Sequence, residues 1–258
     1  MENNYLNMSG ALVIKGGFLE KYNLLSILIP AYNEEKTIIP LLNKVAKVKL
    51  PVEKELIIIN NNSKDNTDKL VTNWIKKNKS VPAKQIFETR AGKGAAVRAG
   101  MKAAKGDLLI MQDADMEYDP ADYVELLKPI LSGKTKVVYG NRLGYSENRS
   151  AHLSFYFGGR LMTQLANLIF CANIKDVNVC YKLWDAKLTK GVRFNEDGFA
   201  FDFAEITPFF LKKLRKEGLK IVNIPIHYYP RSVEEGKKIK WKDGVYGICA
   251  MIKYKFFW

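Results

Sequence analysis

The sequence predicts an α/β protein built on a mostly parallel central sheet with helices on both faces. Residues 25–30 (LSILIP) and 55–59 (ELIII) are short apolar runs that open into polar residues, as buried parallel strands do. Helical patterns alternate with such runs as far as Gly140, giving the βαβα order of a doubly covered sheet. At 47% hydrophobic content, 258 residues suffice for one large core.

Residues 1–22 lack the basic start and long apolar middle of a signal peptide, so they read as an N-terminal tail. The main domain is expected over 23–230, followed by a basic loop and amphipathic helix over 231–258. Within the domain, helices are predicted at 37–48, 65–76, 93–104 and 118–131, and further strands at 107–111 and 136–139. Pro40 is tolerable in a first turn, and Asp119-Pro120 is a helix start, with Asp119 as cap and Pro120 at the first helical position. Beyond Gly140 the alternation loosens into a helix at 153–170, a strand at 177–184, a helix at 204–213 and a strand at 220–227. From Trp241 through Val245, Ile248, Cys249, Ile252 and Phe256 apolar residues recur at helical spacing beside Lys253 and Lys255. Such a helix either packs on the domain or lies in a membrane interface.

The formal charge of +14 favours polyanionic partners without choosing among nucleic acid, anionic lipid and phosphorylated substrate. No helix-turn-helix or RNP pattern is present, so nucleic acid is not an expected partner. Cys171, Cys180 and Cys249 have no zinc-type or disulfide-type spacing, and no run is long enough to span a bilayer. A cytoplasmic protein follows. His152 and His227 are too far apart in sequence to suggest a histidine-based site.

In sheets of this kind ligands bind beyond the carboxyl ends of the strands, which gives weight to polar residues there. Asp113-Ala114-Asp115 follows a strand directly, and two carboxylates one residue apart can share a hard divalent cation. Gly92-Lys93-Gly94 opens a helix, where backbone N–H groups and Lys93 could meet an anion, or the glycines could serve a tight turn. A dinucleotide fingerprint fits poorly, because Val97 replaces its third glycine, and a P-loop is absent. The run 229–239 places cations around Gly236, in a loop that could close over a diphosphate. Asp202 and Glu205 are spaced as a capping box, with catalysis the lesser reading.

Taken together, the segments 29–35 (IPAYNEE), 92–94 (GKG), 113–120 (DADMEYDP), 139–142 (YGNR) and Arg231…Glu235-Gly236-Lys237-Lys238-Ile239 resemble glycosyltransferase family 2. Within it, the polyprenyl-phosphate and dolichyl-phosphate hexose synthases look most similar. The resemblance implies a GT-A fold and an inverting transfer from a UDP- or GDP-sugar to a polyprenyl phosphate, at the inner face of a membrane with an anionic surface. It implies that Pro30, Tyr32 and Glu34 line the nucleotide pocket, that Asp113 and Asp115 hold Mg²⁺ or Mn²⁺, and that Glu117 assists. Arg142 and Arg149 match acceptor-phosphate arginines, Arg231 with Lys237 or Lys238 matches donor-loop cations, and Asp176 falls near the substrates. Asp115, Asp176, Arg142 and Arg231 are thus the residues expected to carry catalysis.

The chain departs from the pattern in two places. Asn60-Asn61-Asn62-Ser63 stands where the family usually has Asp-Asp-Gly-Ser, so Asn61 would meet the base without a negative charge. Phe201 stands four rather than three residues before Glu205. The processive Gln-x-x-Arg-Trp signature is absent, implying one transfer per acceptor. A family 2 enzyme with a hydroxyl acceptor is the alternative, and it would need a base, for which Asp176 is the candidate.

Overall fold

The computed structural model describes residues 5–6, 12–13, 22–148, 153–231 and 241–257. Two short strands, β1 (Tyr5–Leu6) and β2 (Leu12–Val13), pair antiparallel apart from the main sheet. The main sheet has seven strands: β3 (Leu24–Ala31), β4 (Glu53–Asn60), β5 (Ala83–Phe87), β6 (Leu108–Met111), β7 (Val137–Asn141), β8 (Lys182–Asp185) and β9 (Val222–Pro225). Their order is β5-β4-β3-β6-β8-β7-β9, and β8 runs antiparallel to both of its neighbours while the other pairs are parallel.

The helices are α1 (Ile38–Lys47), α2 (Thr67–Lys77), α3 (Lys93–Ala103), α4 (Tyr123–Leu131), α5 (Leu153–Phe170), α6 (Ile206–Lys216) and α7 (Trp241–Phe257). Ile38, Leu41, Leu42 and Val45 bury one stripe of α1, at the spacing a helix needs to cover a sheet. Leu25, Ile27, Leu28 and Ile29 of β3 and Leu56–Ile59 of β4 are fully buried, so these strands are apolar on both faces because both are covered.

Chain direction creates the crevice. From β3 the chain steps outward to β4 and β5, then α3 carries it back to β6 on the other side of β3. The strand order therefore reverses between β3 and β6, and their carboxyl ends diverge there as at other ligand sites of open sheets.

Several expected elements differ in detail. The helix predicted at 118–131 begins with a 3₁₀ turn, Pro120–Asp122, in which Asp119 Oδ1 accepts from Ala121 N at 3.0 Å as a cap should. The strand predicted at 177–184 is paired as a strand only from Lys182 on, over Lys182–Asp185; before it, Val177, Val179 and Cys180 are buried by packing rather than by a strand ladder. The expected capping box is overturned. Residues Phe201–Glu205 form a π-helical turn ahead of α6, and Glu205 accepts from the backbone of Asn195 at 2.7 Å and Glu196 at 2.8 Å instead of capping. The additional residue between Phe201 and Glu205 is absorbed by that wider turn.

Helix α7 packs on the π turn and on α5. Ala250, Met251 and Tyr254 are buried, and Gly247 lets the two backbones approach: a Cβ there would lie 2.6 Å from Cζ of Phe203. Gly247→Val should therefore destabilise the protein by about 1–3 kcal/mol through overpacking. A thermal melt should show a midpoint lowered by roughly 2–10 °C, and an unchanged midpoint would mean that α7 does not dock in this way.

Candidate active site

The loop after β6 is held from below. Gln112 is fully buried; its Oε1 accepts from the hydroxyls of Tyr123 at 2.5 Å and Tyr181 at 2.6 Å, while its Nε2 donates to the Asp113 carbonyl at 2.9 Å. Beyond it the chain turns sharply, with Met116 in the left-handed region at φ 65° and Glu117 N donating to Asp115 Oδ1 at 3.2 Å. Asp113, Asp115 and Glu117 thus crowd one strand end facing the crevice.

Two cations serve these acids, Lys93 at Asp113 and Arg231 at Asp115 and Glu117. Lys93 Nζ bridges Asp113 Oδ1 and Asp202 Oδ2 at 2.8 Å each. Burial raises the Asp113 pKa, but the Lys93 charge outweighs it and holds the carboxyl below its ordinary range. Lys93 has the converse balance: burial lowers its pKa, and Asp113 and Asp202 carry it well above the ordinary value. The glycines beside Lys93 serve close packing. A Cβ on Gly92 would lie 2.2 Å from the Asp197 carbonyl oxygen, and one on Gly94 2.4 Å from that of Glu196. Two of the first donors of α3 are also spent inside the protein, Gly92 N on Asn61 Oδ1 at 3.0 Å and Ala95 N on Asp197 O at 3.1 Å. The helix start is therefore a packing joint, with Lys93 as its contribution to the site.

Arg231 reaches in from beyond β9. Its Nη2 donates to Asp115 Oδ2 at 3.0 Å and its Nη1 to Glu34 Oε2 at 3.3 Å, while its backbone N donates to Glu117 Oε1 at 2.9 Å. Tyr228 Oη donates to the other Glu117 oxygen at 3.1 Å. Even so, burial and then the charges of Asp113 and Glu117 push the Asp115 carboxyl up to about 7. The acidic set is short of positive charge.

Opposite this cluster, Arg142 at the end of β7 makes a two-pronged pair with Asp176, Nε to Oδ2 at 2.6 Å and Nη2 to Oδ1 at 2.9 Å. Its guanidinium also lies over the Tyr228 ring, 5.0 Å from the centroid. Burial raises the Asp176 pKa, yet the Arg142 charge wins and keeps Asp176 ionised. Behind the pair sits Lys182, with no exposed surface, donating to the carbonyls of Val177 at 3.2 Å and Val179 at 2.5 Å.

The remaining predicted residues fall around this centre. Pro30 lies in β3, and Tyr32 is 45% exposed at the mouth of the crevice, in a loop fixed by Asn33 N donating to Ser63 Oγ at 3.1 Å. Asn61 is buried and spends its amide on the carbonyls of Glu88 at 3.1 Å and Arg90 at 2.7 Å, so it braces the loop leading to α3. Arg149, His152, Lys237 and Lys238 lie outside the described residues. Sequence reasoning missed Gln112, Tyr228 and Lys182 as parts of the site, and it gave Asp202 a place there only as the lesser reading beside a cap. A buried-looking lysine beside Asp176 in an apolar stretch was the available signal for Lys182.

A family model described as Glycosyl transferase family 2 matches residues 26–176. Among similar curated proteins, a dolichyl-phosphate beta-glucosyltransferase of Trichomonas vaginalis is 28% identical over 79% of this chain and 63% of its own length. A dolichol-phosphate mannosyltransferase of Pyrococcus furiosus is 26% identical over 82% of this chain and 58% of its own. The chain thus spans less than two thirds of either relative. Among solved structures, glucosyl-3-phosphoglycerate synthase from Mycobacterium tuberculosis in complex with Mn²⁺, UDP and phosphoglyceric acid superposes with a TM-score of 0.64. It is 18% identical, over 91% of this chain and 78% of that one. The shared architecture is the GT-A fold.

A second contact at the rim gives a titration test. His227 Nδ1 lies 2.8 Å from Asp122 Oδ1, and that hydrogen bond raises the imidazole pKa above its ordinary value of 6.5. A folded value above the unfolded one means that the pair stabilises fully below pH 6.5 and loses its contribution as pH climbs through the raised value. An NMR titration should put the His227 midpoint above 6.5 and return it toward that value in Asp122→Asn; equal midpoints in the two proteins would refute the pairing.

Proposed function

The chain belongs to glycosyl transferase family 2, and from that premise we propose that this glycosyltransferase moves a hexose, with inversion, from a nucleotide-diphosphate sugar to a polyprenyl phosphate. The observation that carries the reading is an acidic strand end at the switch point, with separate cations arranged on its donor and acceptor sides. The names of the dolichyl-phosphate relatives support the lipid acceptor, and their mannose and glucose define the donors to test.

Mg²⁺ or Mn²⁺ fits the acidic set. No three or more histidine, cysteine or carboxylate side chains form a metal cage among the described residues. An ion that takes one or two carboxylates and completes its shell with phosphate oxygens and water needs none. The raised Asp115 pKa marks the place where added positive charge is favourable. Asp115 and Asp113 would hold the ion, with Glu117 beside them, and it would neutralise the departing diphosphate. Pro30, Tyr32 and Glu34 line the nucleotide side, and Asn61 braces its floor. Arg231, with Lys237 and Lys238 following it in sequence, supplies further charge over the leaving group.

On the acceptor side Arg142, and Arg149 next along the chain, receive the lipid phosphate. That oxygen is already an anion near neutral pH and attacks without a strong base. Asp176 is committed to Arg142 through both oxygens, which makes it a poor general base and favours a phosphate over a hydroxyl acceptor.

The acceptor also places the enzyme at a membrane surface. No described helix is long and apolar enough to cross a bilayer. However, α5 exposes Phe157, Leu161 and Leu168, and α7 exposes Val245, Ile252, Phe256 and Phe257 beside Lys253 and Lys255. We read this as peripheral attachment at an anionic, cytoplasmic leaflet.

Two measurements test these readings. A panel of UDP-glucose and GDP-mannose with a short polyprenyl phosphate and Mn²⁺ should give a glycolipid. Asp115→Ala should lower the rate on the order of a hundredfold or more, the effect of losing ~3 kcal/mol of leaving-group stabilisation; a fully active, metal-independent variant would refute the site. In flotation assays the protein should rise with anionic vesicles, and Phe157→Ser with Phe256→Ser should weaken that binding. Equal recovery of both proteins would discard the apolar helices as the contact.

A further inference from the structure

Lys182 opens β8, the reversed strand, whose amino end lies at the working edge of the sheet. It has no exposed surface and, among the described residues, no carboxylate within ion-pair distance. Burying an ammonium this way is costly unless its donors are used. Two of them are, on the carbonyls of Val177 and Val179, and the ammonium lies 4.9 Å from the centre of the Tyr139 ring. Those carbonyls belong to the irregular segment directly after Asp176. Val177 N is held as well, by Thr163 Oγ1 at 3.2 Å, and Cys180 N by Tyr118 Oη at 3.2 Å. The segment has no ladder of its own, so such side-chain tethers set where Asp176 stands.

Asp202 completes the connection. One of its oxygens pairs with Lys93, which grips Asp113; the other is buried without a hydrogen-bond partner. Its charge also favours the ammonium form of Lys182, although burial dominates and lowers that pKa to about 8. Lys93 thus joins Asp202 to the donor acids, while Lys182 turns to the segment that holds Arg142.

We propose that Lys182 is a positioning residue: by tethering the Val177 and Val179 carbonyls it fixes Asp176, and through Asp176 it presents the Arg142 guanidinium to the acceptor phosphate. The last step rests on the assignment of Arg142 to the acceptor. Lys182 itself touches no substrate. Its loss acts on acceptor recognition and leaves the nucleotide side intact, because Asp113 keeps Lys93 and Asp115 keeps Arg231.

The test uses Lys182→Met in the full chain, with three readouts: acceptor KM for polyprenyl phosphate, donor Kd by calorimetry, and the NMR signal of Arg142 Nε–H, assigned by its loss in Arg142→Lys. The acceptor KM should rise about tenfold or more, the scale of one hydrogen bond to a charged group, while donor Kd stays within about twofold and Arg142 Nε–H exchanges much faster. Lys182→Gln serves if the methionine variant does not fold: it keeps a polar group in the cavity but is too short to span both carbonyls, and the same outcome is expected. Unchanged acceptor KM and Arg142 exchange, or equal losses for donor and acceptor, would overturn the proposal. Should the wild type make no lipid product, the transferase reading fails, and Arg142 exchange still decides whether the tether exists.

Discussion

Like-charge repulsion at the end of β6 is the constraint around which the molecule is arranged. Asp113, Asp115 and Glu117 fall within five consecutive positions, half-withdrawn from water, and Glu34 is drawn to the Arg231 guanidinium that meets Asp115. Carboxylates so placed protonate or find cations. The protein supplies a cation to each side, Lys93 through α3 and Arg231 through the strand-end region beyond β9, and Asp115 remains the group left under-compensated. A site of this kind is prepared for an incoming positive charge and for the diphosphate that accompanies it.

Those cations are fixed in turn by packing. The bare Cα positions of Gly92 and Gly94 allow α3 to abut the 196–198 backbone, which brings Lys93 between Asp113 and Asp202. Glu205 secures the same stretch from the other side through Asn195 N and Glu196 N. Catalytic charge and structural glycine are thus parts of one joint.

What could be read from the sequence follows the range of the forces involved. The buried runs of β3 and β4 and the acids after β6 were legible because burial and strand ends leave local patterns. Strand β5 was missed: Ala83–Phe87 sits at the sheet edge, half buried, without a clear alternation. Asp202 and Glu205 carried the spacing of a cap, and only the π turn, a response to tertiary packing, turns them to Lys93 and the 195–196 backbone. The pairing of Arg231 with Glu34 spans 197 positions, a separation at which no local periodicity can speak. Arg142 with Asp176 came from family resemblance, and the reason for their geometry, Lys182, lay hidden in an apolar stretch that resembled a longer strand.

The reversal of β8 has a topological cost. A strand that begins at the working edge must end at the far one, so after Asp185 the chain is delivered away from the crevice and has to climb back without a strand of its own. It does so along irregular residues up to the π turn, and on the way Phe194 and Asp197 hook Arg98 of α3. That return path lies across the helix like a strap. The backbone packed against the start of α3 is consequently irregular, held by side chains and by Ala95 N donating to Asp197 O rather than by a sheet ladder.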